Sequence, residues 1–291
     1  GMKVAVTGAR GLLGGEVAAR FGEAGHAVTG WSSGRHDGYR QVNVLRRGEC
    51  VRALDDDQPD VLVHCAANPS VAACEADPAA ARELNAGAVR VLAGLAAERS
   101  IRFIHISTDY VFSGDNPNGY QESDSPDPLQ VYGQTKAEAE RYCLDVPGAL
   151  VVRLPLLFGV GHVTARATFP EQVVRSLRAG EEITADAVEV RQPTYTADAA
   201  GVLCQLAEGG ADGIVHVAGQ QPTTKYEWAV FTAGLAGLDP SLIRPGRPAA
   251  DGKRPVRSWL HVRRLAELGI APPRGVADAT PGFLRAVSLA R

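Results

Sequence analysis

Short apolar runs alternate with longer segments of helical period along the first 155 residues. Residues 3–7 (KVAVT) form a β-branched run of the kind that fills a buried strand, and residues 26–31 and 60–65 read the same way. A glycine-punctuated turn over residues 8–14 opens a helix to about residue 24, which Gly25 ends, and residues 46–57 also look helical. Pro78 starts an Ala-rich helix reaching about residue 99, followed by a strand at 101–107. A polar loop rich in Pro, Gly and Asp covers 114–128, then come a helix over 131–144 and a strand over 149–154. After Pro155 the rhythm loosens. Helices near 169–179 and 197–208 and a strand at 214–218 stand out, and Pro and Gly accumulate between 239 and 255.

This alternation predicts an α/β fold: a doubly wound parallel sheet of Rossmann type with a smaller, interleaved C-terminal domain. The expected division is 2–155 plus about 188–219 for the sheet domain, and about 156–187 plus 220–291 for the smaller one. With 291 residues of which 45% are apolar, the chain has ample core for both. Its 30 basic and 33 acidic residues are well mixed, which argues against nucleic-acid binding. The five cysteines are odd in number, scattered and without a C-x-x-C pair; they read as reduced thiols of a cytoplasmic protein, with no metal site. No apolar run reaches the roughly 18 residues of a membrane span. Gly1 before Met2 reads as the remnant of a cleaved tag, and no signal peptide precedes the first strand.

The turn after the first strand reads Gly8-Ala9-Arg10-Gly11-Leu12-Leu13-Gly14. In a dinucleotide-binding turn the first glycine permits a tight bend. The middle one lets backbone approach the pyrophosphate, and the third allows close helix–strand packing. The helix then offers free N–H groups and partial positive charge to the phosphates. The second strand ends at Trp31-Ser32-Ser33-Gly34-Arg35 without the acidic residue that holds the ribose of NAD. Ser32, Ser33 and Arg35 suit a 2′-phosphate instead, so NADP is expected over NAD. The alternative has Arg35 solvated and Asp37 on the ribose.

Tyr132 and Lys136 stand four residues apart in VYGQTKAEAE, on one face of a helix. A nearby ammonium is expected to lower the pKa of the phenol, which can then act as general acid toward a substrate carbonyl. Thr108, at the C-terminal end of the 101–107 strand, is a second donor for that oxygen. Asn85, in the Ala-rich helix, is placed to keep water near Lys136 as a proton path.

At these residues the chain resembles the extended short-chain dehydrogenase/reductases, and more narrowly the dTDP-4-dehydrorhamnose reductase family. The stretches that carry the resemblance are VTGARGLLG, VLVHCAA, ELNAGAVRVLA, ISTDYVFSGDNPNGYQESDSPDPLQVYGQTKAEAE and RQPTYTADAA, with weaker likeness in GIVHVAG and SLIRPG. The resemblance implies an NAD(P)H-dependent reductase of a 4-keto-deoxysugar carried on a nucleoside diphosphate. It implies that Gly8, Gly11 and Gly14 hold the cofactor, with Ala66 and Ala67 as backbone beside it. Thr108, Tyr132 and Lys136 become the proton-transfer set and Asp109 a substrate-side acid. The chain departs from the family at Leu154-Pro155-Leu156-Leu157, where rhamnose reductases generally carry an aromatic residue at the sugar. The D-Q-x-G-x-P-T segment appears here as Val190-Arg191-Gln192-Pro193-Thr194, so Arg191 is expected at the substrate's diphosphate, with Arg153 and Arg166 as further candidates.

Other readings stay open on the sequence. Thr108-Asp109 is followed by Tyr110 where a dehydratase carries a further acid, which counts against dehydration. A nucleotide-sugar epimerase uses the same tyrosine. A cofactor-binding regulatory subunit without turnover also keeps these motifs. The helices near 78–99 and 131–144 offer faces for a homodimer.

Overall fold

The structure is a computed structural model that describes residues 1–164, 166–247 and 253–290. In chain order its strands are β1 (Lys3–Thr7), β2 (Ala27–Ser32), β3 (Arg40–Gln41), β4 (Val61–His64), β5 (Arg102–Thr108) and β6 (Leu150–Leu154). They continue with β7 (Leu157–Phe158), β8 (Ile183–Asp186), β9 (Thr194–Tyr195), β10 (Gly213–His216) and β11 (Ile243–Gly246). The helices are α1 (Leu12–Glu23), α2 (Arg47–Asp57), α3 (Val71–Ala76), α4 (Pro78–Arg82), α5 (Ala88–Glu98), α6 (Val131–Leu144), α7 (Phe169–Arg178), α8 (Thr196–Glu208), α9 (Lys225–Ala236), α10 (Arg263–Glu267) and α11 (Val276–Ala290).

Seven strands form one sheet in the order β10-β6-β5-β4-β1-β2-β3, every neighbouring pair parallel. This is the doubly wound parallel sheet expected from the strand–helix alternation. Strands covered on both faces need continuous apolar runs rather than alternation, and β4 and β6 are buried at every position. On one face Val4, Val6, Val63 and Val152 pack against Val17 and Phe21 of α1 and Leu203 of α8. On the other, Ala5, Leu62, Phe103 and Val151 meet Leu54 of α2, Leu92 of α5 and Ala139 of α6.

A second layer is built from chain that follows β6. The parallel pair β8–β11 is covered by α7 and α9 through Val173, Leu177, Ala185, Ala229 and Ile243. Phe158, Trp228 and Phe283 make an aromatic cluster with edge-on contacts at 5.0 and 5.5 Å. The chain interleaves between the layers, since α8 and β10 return to the main sheet before α9 leaves it again.

One expectation changes, and several elements were not foreseen. The Ala-rich helix is not continuous: α4 gives way to a π-helical turn at Glu83–Gly87 before α5. Strands β3, β7, β8, β9 and β11 and helices α3, α9, α10 and α11 carry no clear sequence signal. A two-residue strand has no period, and α9 shows no single stripe because Phe231 and Leu235 stay exposed while Trp228 and Ala233 are buried. Part of the Pro- and Gly-rich stretch at 239–255, residues 248–252, lies outside the described residues. Among the described residues no helix is long and apolar enough to cross a membrane.

Candidate active site

Strand order reverses between β1 and β4, and an open α/β sheet has its ligand crevice at the C-terminal ends of the strands at such a point. The glycine turn leaves β1 there. Gly8 has φ +61°, and a Cβ on it would lie 2.9 Å from the Ala66 nitrogen. That left-handed backbone and close approach favour glycine. A Cβ on Gly14 would meet the Gly8 carbonyl oxygen at 2.0 Å, so α1 packs on the turn only without a side chain. Gly11 is exposed and caps α1, which has no acidic residue in its first turn and no side-chain cap. Leu12 and Leu13 begin the helix, half-buried, with Leu13 against the core. The N–H groups at this end are therefore open to an anion.

Thr7 ties the turn to the next strand. Its hydroxyl oxygen accepts from the Cys65 and Ala66 amides at 3.0 and 3.1 Å, leaving its proton to donate to His64 Nδ1 at 2.7 Å. Ala66 and Ala67, half-buried, follow directly. At the end of β2, Ser32 is buried while Ser33 and Arg35 are exposed. Arg10 reaches from the glycine turn to this end: its guanidinium contacts the His36 ring and stands 5.9 Å over the Tyr39 ring. Its Nε is buried without a protein partner among the described residues.

Helix α6 brings in the proton-transfer candidates. Gln130 caps it by accepting from the Gly133 amide at 3.0 Å, and Glu75 accepts from the Val131 amide at 2.7 Å. Gly133 lets the helix touch the 3₁₀ turn Asp109–Val111, because a Cβ there would lie 2.2 Å from the Tyr110 carbonyl oxygen. The Tyr132 ring then meets Tyr110 edge-on at 6.1 Å. Burial pushes the Tyr132 phenol well above its ordinary pKa, while the Thr108 hydroxyl pulls the other way. This corrects the expected lowering by Lys136. The ammonium of Lys136 is turned into the protein and donates to the Ile106 carbonyl at 2.6 Å. Burial in turn lowers its pKa to about 8. Thr108 closes β5, with its hydroxyl 3.3 Å from Asp109 Oδ1. Thr108, Tyr132 and Lys136 thus converge at the C-terminal edge of the sheet.

Asn85 is buried within the π-helical turn, a feature often found at functional sites. Its side chain is taken up by protein. Oδ1 accepts from the Asn68 amide at 2.9 Å, and Nδ2 lies 3.2 Å from the Asn68 carbonyl and 3.3 Å from Thr135 Oγ1. Its side chain braces the loop after β4 against the residue before Lys136.

Of the candidate substrate residues, two come together and one leaves the site. Asp109 and Arg191 are buried and paired, Arg191 Nη2 lying 3.4 Å from Asp109 Oδ2 and Nη1 donating to the Tyr110 hydroxyl at 3.1 Å. Ser258, which sequence reading missed, donates to the same Asp109 oxygen at 2.7 Å. Arg191 Nε is buried with no protein partner among the described residues. Arg153 is a correction: its side chain is fully enclosed and forks onto Glu140 at 2.6 and 2.9 Å. An arginine so paired under a helix has no open face for substrate. Arg166 lies in the loop before α7 and is exposed. Glu140 was legible in hindsight, since an arginine inside an apolar strand needs a buried acid. Elsewhere, His26, Cys204 and Glu208 hold potential metal-ligand atoms within 4.8 Å of one another. However, His26 Nδ1 accepts from the Met2 amide at 3.0 Å, which puts its proton on the nitrogen facing Glu208. Hydrogen bonds therefore account for that group.

Comparison with known proteins agrees with this architecture. A family model described as RmlD substrate binding domain matches residues 2–288. A probable dTDP-4,6-dihydroxy-2-methyloxan-3-one 4-ketoreductase of Streptomyces antibioticus is 34% identical, covering 98% of this chain and 97% of the relative. The methionine adenosyltransferase 2 subunit beta of Rattus norvegicus is 36% identical, covering 92% of this chain and 83% of the relative. A crystal structure of dTDP-4-dehydrorhamnose reductase from Bacillus anthracis in complex with NADP superimposes with a TM-score of 0.89 at 24% identity, covering 98% of this chain and 99% of that one; at that identity the likeness speaks to fold. The match over nearly the whole chain, together with full-length relatives above 30% identity, shows that this protein belongs to the RmlD substrate-binding-domain family.

Proposed function

We propose that the protein is an NAD(P)H-dependent reductase of a nucleoside-diphosphate-linked 4-keto-deoxysugar, with Tyr132 as general acid. The observation that carries this reading is that the Tyr132 phenol and the Thr108 hydroxyl meet at the C-terminal end of β5, with the Lys136 ammonium on the Ile106 carbonyl of the same strand, in the sheet whose first strand feeds the glycine turn. The 4-ketoreductase relative supports the substrate class. The main sheet with α8 and β10 forms the cofactor domain, and the layer of α7, α9 and α11 forms the substrate domain.

The residues fit a dinucleotide. The turn at Gly8, Gly11 and Gly14 has the close backbone approach that a pyrophosphate needs, and the α1 N-terminus is free of acid. Arg10, whose buried Nε has no protein partner among the described residues, and exposed Arg35 and Ser33 suit the 2′-phosphate of NADP. When bound, the nicotinamide supplies hydride to the sugar's C4. Tyr132, a phenol protonated at neutral pH, donates its proton to the carbonyl oxygen, and Thr108 orients that oxygen. Lys136 holds positive charge on the Ile106 carbonyl, two residues before Thr108. Asp109 and Arg191 line the substrate side as a fixed pair.

The test is reduced-cofactor consumption with a panel of nucleoside-diphosphate 4-keto-deoxysugars. One NADPH consumed per sugar reduced is expected; sugar conversion without net consumption would make the protein an epimerase. Tyr132→Phe is expected to lower kcat on the order of 10² to 10⁴-fold while cofactor affinity stays within about twofold.

A second reading has a specific observation behind it. The beta subunit of methionine adenosyltransferase is as similar to this chain as the reductase is. On that reading the protein binds cofactor within a larger assembly and turns nothing over. Absence of turnover across the panel, with co-elution alongside an adenosyltransferase, would favour it.

A further inference from the structure

Glu140 is buried two helical turns after Tyr132 and one after Lys136, on α6. It bonds to two strands. Its Oε2 accepts from Ser107 Oγ of β5 at 2.5 Å and from Arg153 Nε of β6 at 2.9 Å, and its Oε1 accepts from Arg153 Nη2 at 2.6 Å. Arg153 continues the chain of contacts: Nη1 lies 3.1 Å from His216 Nε2 of β10. His216 Nδ1 donates to the His261 carbonyl at 3.0 Å, so its Nε2 is the acceptor toward the guanidinium. The guanidinium also lies 4.9 Å over the Phe112 ring.

Stability alone is a poor reason for this arrangement. Both side chains are desolvated, at 0% and 2% exposure, and a buried ion pair is often replaced by apolar residues of similar volume without loss of stability. What an apolar pair lacks is direction. Ser107 immediately precedes Thr108, so one carboxylate ties the strand that carries Thr108 to the helix that carries Tyr132 and Lys136. From this geometry we infer that the Glu140–Arg153 pair is a positioning device. It fixes the depth and rotation of α6 against β5 and β6, and so sets the reach of the Tyr132 hydroxyl to the atom that Thr108 orients. The pair touches no reacting atom. Its negative end also lies close enough to Lys136 to favour the ammonium. The inference rests on the reductase reading for its catalytic consequence, but the placement of Tyr132 can be read without turnover.

The experiment compares wild type with Glu140→Met/Arg153→Met, which removes the pair and keeps the volume, and with Ser107→Ala, which removes only the tie to β5. Tyrosine labelled at Cζ reports the Tyr132 phenol titration by NMR, with Tyr132→Phe assigning the signal. Hydrogen exchange reports the α6 amides. The expected result is a double variant with near-wild-type melting temperature and NADPH affinity, a displaced Tyr132 titration, α6 amides exchanging at least tenfold faster, and kcat at least tenfold lower at little changed KM. Ser107→Ala is expected to shift the same readouts in the same direction by less. If the double variant does not fold, Ser107→Ala and Arg153→Lys, which keeps the charge but loses the fork, carry the test. Variants with wild-type phenol titration and α6 exchange would overturn the inference. Wild type without turnover on any keto sugar would sink the reductase reading instead, leaving the titration to decide the positioning role.

Discussion

A single buried amine sets the pH behaviour at the level of residues. Lys136 titrates at about 8 in the folded protein because burial disfavours its charge, against a value near ~10.4 for a free lysine. Below both values the amine is charged in the folded and unfolded states, and the cost of burying that charge is fully present. Between them the unfolded chain binds the extra proton, so this group's contribution makes stability rise with pH across that window. The difference in unfolding free energy between wild type and Lys136→Met should therefore move in favour of wild type by up to about 3 kcal/mol from pH 8 upward. A flat difference in paired urea titrations would place the amine in water. For the proposed reaction, kcat should fall above about pH 8 as Lys136 loses its charge. Tyr132 and Lys136 were legible in sequence because a spacing of four on a helix is a local property. The sense of the phenol's shift was not, since it comes first from burial and then from the electrostatic effect of Asp109, Cys74 and Tyr110, which other segments bring beside the ring.

Among the elements, the glycine turn and α6 were the easiest to read and are the most sensitive to added volume. Gly14→Ala would put a methyl group 2.0 Å from the Gly8 carbonyl oxygen. Since backbone cannot yield cheaply there, α1 must move away from β1, at a cost of about 1 to 3 kcal/mol. A lowered melting temperature together with NADPH affinity reduced at least tenfold is expected from thermal unfolding and fluorescence titration. The Ala-rich segment shows the limit of local reading. Its composition favours an unbroken helix, yet the turn at Glu83–Gly87 widens so that Asn85 can reach Asn68 and Thr135. Hydrogen-bond demand from two other segments outweighs a propensity difference worth less than about 1 kcal/mol per residue.

Across the whole molecule, the substrate side depends on segments far apart in the chain. Asp109 follows β5, Arg191 is held by paired backbone hydrogen bonds to Thr223 at 2.8 and 2.9 Å, and Ser258 comes from beyond β11. Arg191→Met leaves Asp109 buried with Ser258 and Thr108 as its remaining partners. Breaking such a pair typically costs about 3 to 5 kcal/mol, and the same change should raise KM for the sugar nucleotide more than for NADPH. Steady-state kinetics and denaturant unfolding on one preparation check both halves; unchanged stability would mean the pair is open to water.

The alternation of β1, β2, β4, β5, β6 and β10 with helices, the glycine turn and the Tyr132–Lys136 spacing were legible in sequence alone, because each rests on periodicity or on the conformational needs of neighbouring residues. Only the tertiary structure decided the rest. It removed Arg153 from the substrate side by giving it Glu140, joined Asp109 to Arg191, and occupied the side chain of Asn85. A charged or amide side chain is read from sequence as a capability. Which partner satisfies it depends on which strands and helices lie beside it, and that is settled when the chain closes its core.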